Sequence, residues 1–286
     1  MINKLAIGTA QFGMPYGISN RNGQVQEEAI TEILDLAWNN GIDTLDTAKA
    51  YGTSEESIGN FLKNEPRNSW NVITKLSDGR ENITNQIHDS IQKLTLCPSV
   101  ILAHSTELFL DKDFQRKLTK AKQNSIIKKM GVSIYNESEI NQVLNSAYKP
   151  DVIQIPMNIL DTRLYRSGIL TSLYEKNIEV HIRSVFLQGL FYLDDNVIND
   201  RFNDAKSAIV RLKSIAKDAK LTLAELSLLW VVSLVETTKV VIGVENVSHL
   251  KNHLNTLNKD ASKAAFQEAL KIHYENKVLL NPLSWL

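Results

Sequence analysis

The sequence predicts an α/β fold, a (β/α)8 TIM barrel with extra C-terminal helices, on three observations. Apolar, β-leaning runs alternate eight times with helical segments. The 286 residues suit a barrel that typically takes about 250. No low-complexity linker or break in composition divides the chain, so residues 1–286 read as one barrel domain.

The first strand is expected over Leu5 to Ala10. A helix follows, with an apolar stripe of Ile30, Ile33, Leu34, Ala37 and Trp38 and Gly41 as its C-terminal stop. Asp43 to Thr47 is the second strand, and Glu55 to Leu62 the next helix. The third strand spans Asn71 to Leu76, and Ile83, Ile87, Ile91 and Leu94 stripe the helix after it. Val100 to His104 is the fourth strand, with a polar helix near Asp113 to Lys122. Lys129 to Ser133 precedes a helix over Glu137 to Leu144. Val152 to Pro156 precedes one over Gly168 to Glu175. Glu179 to Val185 leads through an irregular stretch, Leu193 to Asn203, into two helices over Ala205 to Lys217 and Leu223 to Leu234. The irregular stretch reads equally as a loop over the barrel mouth or as plain surface. Lys239 to Val244 is the last strand, with helices over Val247 to Leu257 and near Ala264 to Leu279.

Lys plus Arg and Asp plus Glu both number 32. The chain therefore has no global field to steer it onto nucleic acid or an anionic membrane. No run approaches the roughly 20 apolar residues of a membrane span. Met1 to Leu5 shows no cleavage signature, and the single cysteine, Cys97, reads as a small packed residue. A cytoplasmic protein, monomer or homodimer, is expected. The sequons at Asn82, Asn136 and Asn246 then read as chance matches. His249 and His253 have metal-pair spacing without a third ligand nearby, so no metal is expected.

In such barrels reactive groups lie at the C-terminal ends of strands. The second strand ends in Asp46, with Tyr51 shortly after, the third carries Lys75, and the fourth ends in His104. Lys75 stands out, because a strand apolar on both faces does not take an ammonium unless it is paired. Singly, each residue has a structural reading as a cap, a packed ring or a satisfied interior histidine. Jointly they suit carbonyl reduction. Tyr51 would supply the proton to the developing alkoxide, with its pKa lowered by Lys75. Asp46 would pair with Lys75, and His104 would polarise the substrate oxygen.

The stretch Gly41-Ile-Asp-Thr-Leu-Asp-Thr-Ala-Lys-Ala-Tyr-Gly-Thr-Ser-Glu55 resembles the signature of the aldo-keto reductase family. The family's Asp, Tyr, Lys and His match Asp46, Tyr51, Lys75 and His104. The resemblance runs from Leu5 to about Leu254. It implies NADP(H) or NAD(H) held at the mouth without a Rossmann fold. Gly8-Thr9-Ala10 resembles the first-strand end beside the cofactor. Ser133 and Gln154 match residues at the nicotinamide amide, with Ile134 where an Asn is usual. Arg183 and Ser184 stand where an aromatic residue and a serine are usual. Arg183 would stack on the nicotinamide or hold a charged substrate group. Where relatives grip a 2′-phosphate with Lys, Ser and Arg, this chain has Gly243, Val244 and His249. Backbone N–H groups from Gly243 to Asn246 would meet a phosphate, and Asn252 or His253 the adenine. The runs Thr9-Ala-Gln-Phe-Gly13 and Arg183-Ser-Val-Phe-Leu-Gln-Gly-Leu190 resemble bacterial members tied to sugar metabolism. The expected partner is a small carbonyl or alcohol substrate, sugar-derived or otherwise. Two alternatives remain: an NAD-dependent sugar or alcohol dehydrogenase, and a cofactor-binding regulatory subunit without turnover.

Overall fold

A computed structural model describes residues 1–64, 69–77, 82–194, 202–281 and 285. Eight parallel strands close into a barrel in chain order: β1 (Leu5–Gly8), β2 (Thr44–Asp46), β3 (Asn71–Leu76), β4 (Val100–Ala103), β5 (Lys129–Ser133), β6 (Val152–Pro156), β7 (Glu179–Arg183) and β8 (Thr237–Gly243). The principal helices are α1 (Glu27–Asn39), α2 (Ser54–Asn64), α3 (Ile83–Leu94), α4 (Lys112–Gln123), α5 (Glu137–Leu144), α6 (Ile169–Glu175), α7 (Asn203–Asp218), α8 (Leu223–Ser233), α9 (Val247–Thr256) and α10 (Lys263–Leu270). The strands are short and mostly apolar, and β1 to β7 are almost wholly buried, because helices cover one face and the barrel interior the other; β8 is buried at about every second residue. α8 is buried nearly all round, which explains its run Leu226-Ser-Leu-Leu-Trp-Val-Val232, apolar but for Ser227, whose hydroxyl donates to Val185 O.

Several helices begin on a side-chain cap that the sequence supplies. Asn136 and Glu139 form a capping box at α5, and Thr222 and Glu225 form one at α8. Asn82, Asn136 and Asn246 each accept a backbone N–H at a helix start. The three sequons are thus helix N-caps, with the Ser or Thr falling at the second helical position. Gly41 has φ +82° just past α1, and its N–H donates to Trp38 O, as expected of a C-terminal stop.

Several expectations need correction. β1 stops at Gly8, and Ala10 opens a helical turn, Ala10–Gly13. The final helix ends at Leu270 rather than near Leu279; the apolar residues Ile272, Leu279 and Leu280 still pack inward, on irregular backbone. Cys97 is exposed, not packed. Residues 195–201 of the irregular stretch, and 282–284 and 286 of the tail, lie outside the described residues. Trp285 is buried, edge-on to Phe202 at 4.8 Å, with Nε1 donating to Leu279 O at 3.0 Å. Among the described residues, no helix is long and apolar enough to cross a membrane.

Candidate active site

The C-terminal ends of β2, β3 and β4 bring Asp46, Lys75 and His104 together. The pairings Asp46↔Ile73, Lys75↔Leu102 and Leu76↔Ala103 set the three ends side by side. Lys75 is 0% exposed. Its Nζ donates to Asp46 Oδ1 at 2.5 Å and to Thr47 O at 2.8 Å, so the ammonium has the carboxylate a buried cation requires. Burial pushes Lys75 down, and Asp46 holds it back up. Asp46 spends its second oxygen on Gln154 Nε2 at 2.6 Å.

Tyr51 comes from the loop after β2, which its own polar residues hold in place. Thr47 Oγ1, Ser54 Oγ and Thr9 Oγ1 form one buried hydroxyl cluster, with links of 3.0 Å and 2.8 Å. Thr74 Oγ1 donates to Glu55 Oε1 at 2.6 Å. Most polar positions of the signature stretch thus serve to place its tyrosine. Gly13 and Gly52 let the loop touch the Ala10–Gly13 turn. A Cβ on Gly13 would lie 1.8 Å from Tyr51 O, and Gly52 has φ +54° with Gly13 O 2.2 Å from where its Cβ would stand. Lys75 Nζ lies 5.0 Å from the Tyr51 ring centre, and the His104 ring stands edge-on at 6.1 Å.

The electrostatics depart from expectation at one point. Tyr51 is not lowered by Lys75. Loss of solvation pushes it well up, Asp46 adds to the rise, and Arg183 opposes it. The phenol is therefore protonated at neutral pH. His104 is pushed down to about 4 by burial and by the positive charges of Lys75 and Arg183, so its imidazole is neutral.

The other predicted positions divide into two groups. Gln154, Ser133, Arg183 and Ser184 gather around the same mouth. Gln154 Oε1 is buried without a partner. Arg183 Nε donates to Ser133 Oγ at 3.2 Å and Nη1 to Ser184 Oγ at 3.3 Å. Gly243 and Gly8 pair across the β8–β1 seam, and Gly8 pairs with Asp46. Gly8 keeps that seam tight, since a Cβ there would meet Val241 Cγ1 at 2.9 Å. Thr9 is committed to the buried hydroxyl cluster, with Oγ1 donating to Asp46 O at 3.0 Å. Val244 is 0% exposed, so it offers a ligand backbone only. Asn246 caps α9, while His249 and Asn252 face solvent. His253 turns inward and stacks on Phe186 with ring centres 4.9 Å apart, so the two histidines do not share an open face.

Two residues at the mouth have no counterpart in the sequence reading. Tyr135 lies under Arg183, 4.2 Å from the guanidinium carbon to the ring centre. Tyr16 accepts from Gln188 Nε2 at 3.1 Å and sits near enough to Arg183 to feel its charge. Their one available signal was position: Tyr135 follows the Gly131-Val-Ser133 element by two residues, and Tyr16 follows the Thr9 to Gly13 run by three.

The residues present fit a nicotinamide. Asp46 fixes the Gln154 amide so that its unpartnered Oε1 faces away, ready to accept from a carboxamide N–H. Ser133 Oγ accepts from Arg183 and keeps its proton for an acceptor.

The chain also resembles solved structures over most of its length. An aldo-keto reductase from Bacillus halodurans, in its holo form, shares 19% identity with a TM-score of 0.75, covering 96% of this chain and 94% of that one. A thermostable aldo-keto reductase in complex with the inhibitor epalrestat shares 19%, with a TM-score of 0.70 and 94% of each chain covered. An aldo-keto reductase structure from Pseudomonas aeruginosa shares 18%, with a TM-score of 0.64, covering 93% and 90%. At these identities the likeness speaks for the fold. The model of the aldo/keto reductase family matches residues 4–273, and the chain belongs to that family.

Proposed function

We propose that the protein reduces a small or sugar-like aldehyde or ketone with NAD(P)H, using Tyr51 as general acid. Family membership implies nicotinamide-dependent carbonyl chemistry. The observation that carries the finer reading is the assembled cluster: Tyr51 and His104 beside a buried Lys75–Asp46 pair, in a setting that pushes Tyr51 up and His104 down to about 4. NAD(P)H, held by residues such as Gln154 and Ser133, would supply the hydride for the carbonyl carbon. Tyr51 gives its proton to the oxygen as charge develops there. Neutral His104 hydrogen-bonds that oxygen without competing as an acid. Arg183 opposes the rise of Tyr51 and so favours the phenolate left behind, and Asp46 supplies the carboxylate that the buried Lys75 requires. The raised Tyr51 favours reduction, because the donor form is the resting form. The assembled cluster supports turnover over a regulatory role.

A second reading, an NAD-dependent sugar or alcohol dehydrogenase, draws on the turn from Gly243 to His249. It holds Glu245 and neither Lys nor Arg, a poor match to a 2′-phosphate. Parallel fluorescence titrations with NADPH and NADH decide between cofactors. Tighter NADH binding supports the dehydrogenase, and tight NADPH binding supports the reductase.

Tyr51→Phe tests the mechanism. Turnover of carbonyl probes should fall by about 10²- to 10⁴-fold, with the dissociation constant of the cofactor nearly unchanged. A variant as fast as the parent sinks the assignment.

A further inference from the structure

We propose that Arg183 is the anchor for an anionic oxygen group, carboxylate or phosphate, on the substrate. The inference rests on the mouth being the carbonyl-reducing site and names the class of compound it takes.

Arg183 ends β7 and points its guanidinium into a setting of neutral groups. Its hydrogen bonds run to the hydroxyls of Ser133 and Ser184, at 3.2 Å and 3.3 Å. The Tyr135 ring covers one face of its plane at 4.2 Å. Nη2 is buried and has no partner. Among the described residues, no carboxylate lies within ion-pair distance of it. Asp46, the carboxylate of the mouth, is taken by Lys75 on one oxygen and Gln154 on the other. A guanidinium does not shed its proton, so this half-buried side chain keeps a positive charge without a counter-charge. With Asp46 matched by Lys75, the mouth carries one positive charge in excess.

That charge is felt across the site. It lowers Lys75 and His104, and it opposes the rise of Tyr16 and Tyr51. All the groups that would touch a substrate therefore sit in the field of Arg183. A partly desolvated charge with one donor left unpaired gains from a partner. A ligand bearing a carboxylate or phosphate is such a partner, and the planar guanidinium matches either. The pocket also supplies a second donor. Tyr16 Oη accepts from Gln188 Nε2, which leaves its own O–H free. With Tyr16 pushed up to about 12 by burial, that proton stays in place. The carbonyl end of the ligand would face Tyr51 and His104, and its anionic end Arg183 Nη2 and Tyr16.

If Arg183 served only the cofactor, replacing it would weaken nicotinamide binding and slow every substrate alike. The test compares isosteric charged and neutral probes. Calorimetric titrations of benzoate and benzamide, with and without saturating NADPH, should show benzoate bound at least about tenfold tighter. In Arg183→Met the benzoate advantage should vanish, and Arg183→Lys should restore part of it. The kcat/KM ratio of 4-carboxybenzaldehyde over benzaldehyde should collapse in step. Displacement of benzoate by inorganic phosphate assigns a phosphate-bearing ligand, and failure to displace assigns a carboxylate. Equal binding of benzoate and benzamide by the parent overturns the proposal. So does a benzoate affinity untouched in a folded Arg183→Met protein, as judged by circular dichroism. Loss of turnover on both aldehydes with the benzoate advantage intact would sink the reductase reading and keep the anion site.

Discussion

The barrel carries a lysine–carboxylate pair at each end, and the two differ in their surroundings. At the mouth, Lys75 and Asp46 meet at 2.5 Å with side chains 1% and 4% exposed. At the other end, Lys129 and Glu179 meet at the same 2.5 Å with side chains 42% and 31% exposed. Distance and charge are alike, so solvent decides what each pair is worth. Water already satisfies both partners of the outer pair, and closing it changes little. The inner pair exists only as a unit, since either charge alone is stranded. The buried pair is also the one beside Tyr51 and His104, where a charge that water cannot screen acts strongly on its neighbours.

Lys75→Met should break the comparison hardest. It leaves Asp46 stranded, with an expected loss of about 3–5 kcal/mol in urea unfolding and turnover lowered by at least about 10²-fold. Adding Asp46→Leu should return most of the stability and none of the activity. A double variant as unstable as the single one would mean that the cost does not come from uncompensated charge. Gly13→Ala attacks the placement of Tyr51 rather than its chemistry. The new Cβ would meet Tyr51 O at 1.8 Å and Ser54 N at 2.4 Å, so the loop must move. We expect about 1–3 kcal/mol of destabilisation and a fall in kcat larger than any change in cofactor affinity. An unchanged kcat would show that the tight approach of the two segments does not position the phenol.

Acid offers a milder probe of the same contrast. His104 and His253 are pushed down to about 4 by burial, and His181 is also lowered by burial. Folded, they stay neutral; unfolded, they take protons from about pH 6.5 downward. Their contribution is therefore whole above that value and is lost as pH falls from about 6.5 toward 4. The melting temperature should hold level between pH 8 and 7 and decline from 6.5 to 5, before most carboxylates titrate. A level profile down to pH 5 would contradict it. The smallest effect belongs to the outer pair: Lys129→Met should cost less than about 1 kcal/mol, read by the same urea titration.

Much of this molecule is legible in its sequence where burial is two-sided. β3, β5 and β6 fall on their expected bounds, because both faces of each strand are covered and the apolar run stops where the cover stops. The turns Ala10–Gly13 and Arg163–Arg166 and the helix Thr106–Leu110 escaped, being too short for a 3.6-residue period to show. So did the 3-10 segment Leu187–Tyr192, where Gln188 and Gly189 take positive φ. Asp46, Lys75 and His104 were found because an ionisable group at the end of an apolar strand is conspicuous. Tyr135 and Tyr16 are not conspicuous in that way, since their relation to Arg183 exists only after β5, β7 and the first loop converge. The raised Tyr51 escaped for the same reason. The sign of its shift depends on how much solvent the closed mouth removes, and a list of neighbours does not contain that quantity.

Closure of the barrel also sets an order of assembly. β1 pairs with β8 from Leu5↔Val240 to Gly8↔Gly243, and Lys4 Nζ reaches Leu234 O across 230 residues of chain. As the polypeptide emerges, β1 to β4 can pair with their neighbours and bring Asp46, Lys75 and His104 together early. β1 nonetheless keeps a bare edge until β8 has been made. A long-lived bare edge slows folding and invites pairing with the wrong chain. Half-made barrels of this protein would then be the species a chaperone meets, with Asp46, Lys75 and His104 gathered and the strand that carries Arg183 still to come.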